Sequence, residues 1–341
     1  SFLQRGAAMA TMSDIAREAG VSLSTVSYAL SGKRAISETT RERINAAITR
    51  LSYHPHAGAR ALASQRAGAI GLAVPLAEDV DAHVVMMFVR SLMRAAHQAS
   101  HEILLIAGED HAATARVLAE GKVDALVVMD VVEDDPRLPI LAEAARPVVL
   151  LGYPSEAHGI LRVDFDFEQA SALAVTELHR RGARRLVMIG SPSVTQTRHA
   201  TYADRATRGF RTTCEQLGLQ ARHVVHDHEV DSTGQLVRAV LAQDRPDALV
   251  IHNESALPAI HRALTEEGIS MPSDLQVVAI APRETTLLGT VEYTAVEIPV
   301  EQIGRAAVTT ATDLIEGRSG VGDQLIAPSL IERDTTHPLR P

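Results

Sequence analysis

The sequence predicts an α/β protein with a small all-α helix-turn-helix headpiece, a hinge helix and two Rossmann-like lobes. Three observations predict this division. Residues 11–55 have the apolar spacing of three short helices, and residues 56–67 form an Ala-rich linker. From residue 69 onward, short apolar strands alternate with amphipathic helices. The chain has 341 residues, which is enough for two or three domains.

The charge follows the same division. The whole chain has 33 Lys and Arg against 42 Asp and Glu, a formal net charge of −9. Residues 1–66 nevertheless carry a net charge of +5, so residues 67–341 carry −14. A basic headpiece on an acidic body favours nucleic acid as the partner of the headpiece.

The remaining composition concerns location. Residues 1–10 are interpreted as a disordered leader, with Met9 or Met12 as possible starts. There is no run of 18 apolar residues and no signal-peptide pattern, so we expect a cytoplasmic protein. The single cysteine, Cys214, excludes an intramolecular disulfide and suits a reducing compartment.

The headpiece begins with three helix start signals. The segments 11–14, 22–25 and 37–40 each begin with a hydroxyl residue that can cap the start of a helix. In the first segment a carboxylate follows three residues later, which is the form of a capping box. Gly20 provides the positive φ that a tight turn between two helices needs. The predicted shared core consists of Ile15, Ala16, Ala19, Val26, Leu30, Ile44, Ala47, Ile48 and Leu51. This pattern predicts a helix-turn-helix followed by a supporting helix.

The outer face of the second helix carries Leu23, Ser24, Thr25, Ser27 and Tyr28. Small hydroxyls and one phenol suit the base edges and phosphates of a DNA major groove. A generic three-helix bundle with solvated hydroxyls is the alternative interpretation.

The linker after the bundle contains one large apolar residue. Pro55 ends the bundle, and the weak Ala-rich helix that follows includes Leu62. A plain linker needs no leucine, whereas a minor-groove element uses one as a wedge at a base step.

The headpiece resembles the LacI (lactose repressor)/GalR-type family of bacterial transcriptional regulators. The runs TMSDIAREAGVSLSTVSYALSG, ISETTRERINAAITRLSYHP and ARALAS carry the resemblance, through the helix spacing, the VS-x-x-TVS core and the hinge leucine. It implies a dimer on near-palindromic operator DNA, with affinity changed by a small effector. The predicted DNA contacts are Thr11, Ser22, Leu23, Ser24, Thr25, Ser27, Tyr28, Thr40, Tyr53, His56, Ala59 and Leu62.

Two tandem sets of strands follow the linker. The first set is 69–75, 103–107, 125–129 and 148–151, and the second is 185–189, 224–225, 248–251 and 277–280. The second lobe already has a full set of strands and helices before the last part of the chain. We therefore expect this part to pack on the first lobe; it consists of strand 294–298, helix 301–317 and segment 325–333. The predicted lobes are then about 68–162 with 293–323, and about 163–292 with 324–341. This is a periplasmic-binding-protein-like architecture, whose ligand lies between the lobes at the carboxyl ends of the strands.

The resemblance extends over this region, through GAIGLAVP, VDALVVMD, RPVVLLG, VDFDFEQA, LHRRGARRLVMIG, RGF and LIAPSLIERDTTHP. The chain departs from the family pattern at several positions. Ala281 stands where the family often has a ligand carboxylate, and Ala206 stands where it has an arginine, with Arg205 one place early. Met129 and Ile298 occupy positions that are often polar in sugar-binding relatives.

These departures leave few groups for sugar hydroxyls, each of which costs about 1–3 kcal/mol if buried unpaired. We therefore expect a sugar-like but larger or less hydroxylated effector, such as an oligosaccharide, a glycoside or a modified metabolite. The candidate effector-binding residues are Met129, Tyr153, Asp166, Tyr202, Arg205, Asn253, Glu254 and Arg283. The alternative is that Glu254, Arg205 and Arg283 are solvated loop charges.

No catalytic set, cofactor site or metal site is predicted. His223, His226 and His228 have partial metal-ligand spacing but lack a fixed fourth ligand. The acidic run at residues 130–135 is interpreted as a solvated rim loop. Two other function classes stay open: a solute-binding protein for a transporter, and an α/β enzyme with a DNA module. As a regulator the protein is expected to be a repressor and a homodimer, with a tetramer as the alternative.

Overall fold

The computed structural model describes residues 10–31, 34–51, 66–75, 80–108, 110–226, 230–252, 254–288 and 290–337. Its contacts divide the chain into two compact units, Ser1–Gly68 with Gly121–Asp124, and Ala69–Glu120 with Ala125–Pro341. Nearly all of the predicted leader, and the predicted hinge helix, lie outside the described residues. Among those residues no helix is long and apolar enough to span a membrane.

The first unit contains helices α1 (Met12–Ala19), α2 (Leu23–Ser31) and α3 (Glu38–Arg50). The start signals read from the sequence are confirmed. Thr11 and Asp14 form a reciprocal capping box at α1, and the Ser37 side chain accepts a hydrogen bond from the Thr40 amide at α3. The Ser22 hydroxyl accepts one from the Thr25 amide at the start of α2, at 3.2 Å.

The turn between α1 and α2 depends on glycine. Gly20 has φ +62°, and its amide closes the end of α1 onto the carbonyls of Ala16 and Arg17. Arg43 of α3 donates to the carbonyls of Ala19 and Gly20, so a side chain at Gly20 would collide with it. The small core beneath consists of Ile15, Ala16, Ala19, Val26, Ile44 and Ala47, with Ile48 and Leu51 partly buried against it. The Leu30 side chain lies outside the described residues.

The second unit is built on two sheets covered by helices. In the described chain, the first sheet has the order β13-β5-β4-β3-β1-β2 and is parallel throughout. Its strands are β1 (Ala69–Val74), β2 (Glu102–Ala107), β3 (Ala125–Val128), β4 (Val148–Leu151), β5 (Leu161–Phe165) and β13 (Gln324–Ile326).

The second sheet has the order β14-β12-β9-β8-β6-β7, and only β14 runs antiparallel to its neighbour in the described part. Its strands are β6 (Arg185–Ile189), β7 (Gln220–Val224), β8 (Ala248–Ile251), β9 (Gln276–Ala281), β12 (Thr294–Glu297) and β14 (Leu330–Ile331). A short hairpin of β10 (Leu287–Leu288) and β11 (Val291–Glu292) lies apart from it.

Helices cover both sheets, as expected for parallel strands with apolar side chains on both faces. They are α4 (Ala82–Gln98), α5 (His111–Ala119), α6 (Leu138–Ala142), α7 (Phe167–Arg180), α8 (Ser193–Thr197), α9 (Thr201–Gln216), α10 (Val230–Asp244), α11 (Leu257–Glu266) and α12 (Val300–Ile315). On the first sheet α4 and α12 pack together, while α7 and α9 pack together on one face of the second.

The prediction for the last part of the chain is partly wrong. Strand β12 pairs with β9 in the second sheet and does not join the first. Helix α12 packs on the first sheet, as expected. Strand β13 also joins that sheet through β5, beyond the predicted lobe limit at residue 323, and β14 then returns to pair with β12 in the second sheet. The chain therefore passes between the sheets after β5, after β12 and after β13.

The predicted strands 148–151, 185–189 and 248–251 agree with the structure to the residue. Strand β5 was not predicted because its sequence, Leu161–Phe165, has charged residues at its second and fourth positions. Both charges have partners, since Arg162 pairs with Asp323 and Asp164 pairs with Arg205.

Candidate functional site

The first candidate site is the exposed amino-terminal end of α2. Leu23 and Tyr28 are large apolar or aromatic side chains that are 48% and 37% exposed. The Ser22 hydroxyl lies 2.8 Å from that of Ser24 and 2.7 Å from that of Thr25. A helix start that presents free amides and hydroxyls is suited to bind an anionic oxygen.

Two further predicted DNA contacts of the headpiece, Thr11 and Thr40, lie at helix starts as well. Thr11 caps α1, and its hydroxyl is 2.7 Å from the Asp14 carboxylate; hydrogen bonds from Thr11 lower the pKa of Asp14 below its ordinary value. The hydroxyl of Thr40 lies 2.7 Å from that of Ser37. Ser27 is partly buried on α2, and Tyr53, His56, Ala59 and Leu62 lie outside the described residues.

The second candidate site is a cavity of about 140 Å³ in the second unit. It lies where strands of both sheets end, which is the usual ligand position in open α/β sheets. The residues that line it are Pro75, Val80, Asp81, Val84, Val85, Phe88, Met129, Asp130, Val131, Leu151, Gly152, Asp164, Phe167, Ser191, Thr201, Tyr202, His252, Glu254, Ile298 and Ile303.

One wall of the cavity is aromatic. The ring of Phe167 lies 5.8 Å from that of Tyr202 and 5.4 Å from that of His252, and Tyr202 lies 5.9 Å from His252. Burial lowers the pKa of His252 to about 3, so its imidazole is neutral at physiological pH. His252 meets both other rings edge to face, and Phe167 and Tyr202 are tilted by 49° to each other, so the three rings pack together as one wall.

Four carboxylates line the cavity, and two of them are bonded to arginines. Asp130 accepts from Arg198 at 2.8 Å, and Asp164 accepts from Arg205 at 2.8 Å. Burial raises the pKa of Asp164, and the Arg205 guanidinium opposes that rise.

The other two carboxylates, Asp81 and Glu254, have no arginine partner among the described residues. Asp81 caps α4 and accepts from the His83 amide at 2.8 Å. Burial raises the pKa of Glu254 to about 7, and the negative charge of Asp81 adds to the rise.

The structure brings together only part of the predicted effector set. Met129, Tyr202 and Glu254 line the cavity, and Glu254 is partly buried, not a solvated loop charge. Arg283 is exposed on a short 3-10 turn and does not line it. Asn253 lies outside the described residues.

Tyr153, Asp166 and Arg205 lie instead in a neighbouring open groove. Arg205 is 5% exposed and donates to Asp164 at 2.8 Å, to Asp166 at 3.0 Å and to the Phe165 carbonyl at 3.2 Å. Its guanidinium also lies 5.2 Å from the centre of the Tyr153 ring, with Arg162 at 4.1 Å from the same ring. Because both terminal nitrogens of its guanidinium already have acceptors, Arg205 has a structural position in this chain.

The apolar departures from the family pattern divide in the same way. Met129 and Ile298 line the cavity, whereas Ala206 and Ala281 are fully buried in the packing of the second sheet. The acidic run at residues 130–135 is not the solvated rim loop that was predicted. Asp135 is 5% exposed and bonded to Arg137; burial alone would raise its pKa, but Arg137 lowers it overall.

Sequence reasoning missed several residues of the cavity: Asp81, Phe88, Asp164, Phe167, Ser191 and His252. His252 and Ser191 follow the ends of β8 and β6. Ligands of open α/β sheets bind at the carboxyl ends of the strands (the strand-end rule), so the sequence contained a signal for both residues. Asp81 and Phe88 belong to the start of α4 and carry no such signal.

The predicted histidine cluster divides too. His228 lies outside the described residues, and His223 and His226 do not line the cavity. Among the residues that are described, no group of three or more His, Cys, Asp or Glu side chains could hold a metal ion.

Comparison with known proteins assigns both units. Residues 11–56 match the profile described as bacterial regulatory proteins, lacI family, and residues 175–336 match that of a periplasmic binding protein-like domain. The chain belongs to the LacI family. A LacI-family protein is a transcriptional regulator, not an enzyme, with a DNA-binding domain and an effector-binding domain.

Relatives match this chain over nearly its whole length. Catabolite control protein A of Staphylococcus xylosus is 26% identical over 338 residues, covering 96% of this chain and 99% of the relative. Catabolite control protein A of Priestia megaterium is 27% identical over 311 residues, covering 89% of this chain and 91% of the relative.

Solved structures of LacI-type regulators show the same fold. A lac repressor dimer bound to operator and the anti-inducer ONPF has a TM-score of 0.83 at 23% identity, covering 97% of this chain and 100% of that one. A complex of the transcriptional regulator CelR with cellobiose has a TM-score of 0.64 at 24% identity, covering 96% of this chain and 99% of that one.

Proposed function

We propose that this LacI-family regulator is a repressor that binds near-palindromic operator DNA as a homodimer and responds to a small molecule in the cavity of its second unit. The observation that carries the proposal is the exposed, hydroxyl-rich start of α2, within an amino-terminal segment (residues 1–66) that has a net charge of +5. A site of action on DNA places the protein in the cytoplasm. We keep the domain limits 11–55, 56–67 and 68–341 as proposals.

The DNA contacts divide by the chemistry of their side chains. We assign phosphate contacts to the hydroxyls at helix starts, namely Thr11, Ser22, Thr25 and Thr40, and to the hydroxyl of Ser27 within α2. Base contacts are assigned to Leu23, Ser24 and Tyr28, because these lie on the exposed face of α2. Tyr53, His56, Ala59 and Leu62 complete the set from the sequence alone.

The first prediction concerns Tyr28, at a position where the resemblance to the LacI family leads us to expect arginine. Arginine pairs with guanine through two hydrogen bonds and tyrosine does not, so Tyr28→Arg should change the preferred base at one position of each half-site by about 1–3 kcal/mol. Selection from random DNA, with the parent and the Tyr28→Phe variant in parallel, measures this. Recovery of only unrelated, non-palindromic sequences by the parent would refute the proposed function.

The homodimer is supported by an apolar surface on the first sheet. Strand β2 is an edge strand, and Leu104 and Leu105 on it are 37% and 50% exposed. Met86 and Met93 of α4, which contacts β2, are 56% and 52% exposed. An exposed apolar edge of this kind marks an interface between proteins.

The second prediction tests this surface. Leu105→Asp should convert the dimer into a monomer. In a self-complementary interface the substitution appears once in each protomer, so two carboxylates would have to be desolvated when the dimer forms. Analytical ultracentrifugation measures the change. Leu325→Asp is the matched control, since Leu325 is 41% exposed on β13, at the opposite edge of the same sheet. Equal loss of dimer in both variants, or in neither, would place the interface elsewhere.

The cavity supports an effector with a mainly apolar body. The sugar-like or glycoside effector predicted from the sequence would need several directed hydrogen bonds. Met129, Ile298 and the aromatic wall offer apolar contacts instead, which supports the less hydroxylated of the predicted ligands. Binding that alters the approach of the two sheets would switch DNA affinity with a coupling of about 1–3 kcal/mol.

A further inference from the structure

The charged side chains that line the cavity favour a ligand of positive charge. Every charged side chain that lines it within the described residues is a carboxylate: Asp81, Asp130, Asp164 and Glu254. Arg198 and Arg205 offset Asp130 and Asp164. The remaining pair, Asp81 and Glu254, has no arginine to offset it among the described residues, so the charge of Asp81, and that of Glu254 once it has lost its proton, lies uncompensated in a largely apolar cavity.

Two buried polar atoms on the same cavity also have no partner. Ser191 is 1% exposed and His252 is 3% exposed, and neither the Ser191 Oγ nor the His252 Nδ1 has a hydrogen-bond partner. Both side chains line the cavity. A buried polar atom without a partner costs about 1–3 kcal/mol, so a bound molecule that reaches either atom would gain from a hydrogen bond there.

Aromatic side chains are the third feature of the cavity that favours a cation. Phe88, Phe167 and Tyr202 line the same cavity as the two carboxylates. The negative faces of such rings attract organic cations, and recognition of ammonium groups by aromatic side chains is a common use of this interaction. Arginine and lysine are absent from the described lining, so nothing there attracts an anion.

We propose that the effector is a compact organic cation, an amine that is protonated at neutral pH and carries an apolar body of about one ring. Its ammonium group lies between Asp81 and Glu254, and its body lies against Phe167 and Tyr202. The Ser191 hydroxyl and the neutral His252 ring hydrogen-bond to the remaining polar atoms. This inference rests on the proposed function, because it names the ligand class of the same cavity.

A matched series of one-ring probes tests the charge directly. Calorimetry of the full chain with benzylamine, benzyl alcohol and benzoate compares a cation, a neutral molecule and an anion of one shape. We expect benzylamine to bind at least about tenfold more tightly than benzyl alcohol, and benzoate to bind most weakly. Equal or tighter binding of the alcohol, or no benzylamine binding at millimolar concentration, overturns the inference.

Variants then assign the charge to residues. Glu254→Gln should weaken benzylamine binding about tenfold and leave benzyl alcohol unchanged. Asp81→Asn should act in the same direction, and asparagine retains the cap of α4. Glu143→Gln is the control, because Glu143 is exposed and does not line the cavity. Unchanged benzylamine affinity in both cavity variants also overturns the inference.

The pH dependence is a further readout. The charged and titratable groups that face the site are Asp81, Asp130, Asp164, Glu254, Tyr202 and His252. Because burial raises the pKa of Glu254 to about 7, the empty site holds a proton below that pH, and a cation must displace it. Benzylamine affinity should therefore fall by up to about tenfold per pH unit from pH 7 to pH 6. Glu254→Gln should remove most of this dependence and leave only the part that comes from Asp164, whose pKa burial also raises.

The failure of this inference differs from failure of the proposed function. Binding of cellobiose or another neutral glycoside in the cavity, lost on Tyr202→Ala and unaffected by Glu254→Gln, overturns the cation and leaves an effector-controlled regulator in place. Failure of the parent protein to select any palindromic DNA refutes the regulator, whatever the amine does.

Discussion

Replacing Arg205 by alanine is expected to lower the free energy of unfolding by about 3–5 kcal/mol. The guanidinium is 5% exposed and is bonded to Asp164 and Asp166. Asp164 is 7% exposed, so without Arg205 its buried carboxylate would have no positive charge beside it. Urea denaturation followed by circular dichroism measures the loss.

The pH dependence of that loss follows from the same pair. Burial raises the pKa of Asp164 and Arg205 opposes the rise, so removing Arg205 raises that pKa further. A group with a raised folded-state pKa costs stability as pH rises from its unfolded value toward its folded value. Below the parent's folded pKa of about 7 the carboxyl is neutral in both folded proteins, so the deficit of the Arg205→Ala variant should be smallest below that pH and grow above it.

Arg208→Ala is the matched control for this experiment. Arg208 lies one turn further along α9 and pairs with Glu168 at 2.9 Å, but both side chains are exposed. An exposed pair contributes about 0–1 kcal/mol, so this variant should unfold almost as the parent does. If the two variants had equal stability and Arg205→Ala instead abolished effector binding, Arg205 would be a ligand residue, as the sequence suggested.

Gly209→Ala is expected to destabilise the second unit by about 3 kcal/mol, at the upper end of the range for overpacking. Helices α7 and α9 approach so closely at Gly209 that a Cβ atom there would lie 2.8 Å from the carbonyl carbon of Glu168 and 2.9 Å from its Cα. These are backbone atoms, so relief requires a shift of one whole helix. Thermal unfolding measures the effect.

Gly234→Ala provides the comparison within another helix. A Cβ atom at Gly234 of α10 would meet only the tip of Arg238, at 3.6 Å. Because alanine favours a helix interior over glycine by about 1 kcal/mol, this variant should match or exceed the parent in stability. A Gly209→Ala variant that behaved like Gly234→Ala would show that α7 and α9 can separate at little cost.

Local features of this chain could be predicted well from the sequence. The capping box of Thr11 and Asp14 spans three residues, and the turn at Gly20 depends on one backbone conformation, so neighbouring residues are sufficient to determine both. The strands 148–151, 185–189 and 248–251 are short apolar runs, and burial on both faces requires that composition.

Features that depend on distant partners could not be predicted. Strand β12 has the same apolar pattern whichever sheet it joins, and its hydrogen bonds to β9 decide the choice. Arg205 looked like a ligand arginine displaced by one position, because its acceptors, Asp164 and Asp166, lie about 40 residues earlier in the chain. The cavity residues Asp81 and Phe88 come from a helix face, which the strand-end rule does not cover.

The close contact of α7 and α9 has a consequence for how the cavity can adjust to its contents. Phe167 is the first residue of α7 and Tyr202 is the second of α9, so the two rings are carried by helices that are locked at Gly209 and tied through Arg205. Neither ring can retreat alone from an oversized molecule. The cavity is thus least adjustable at these two rings, and a bulkier compound has to be accommodated by other lining residues, such as Val84 and Met129.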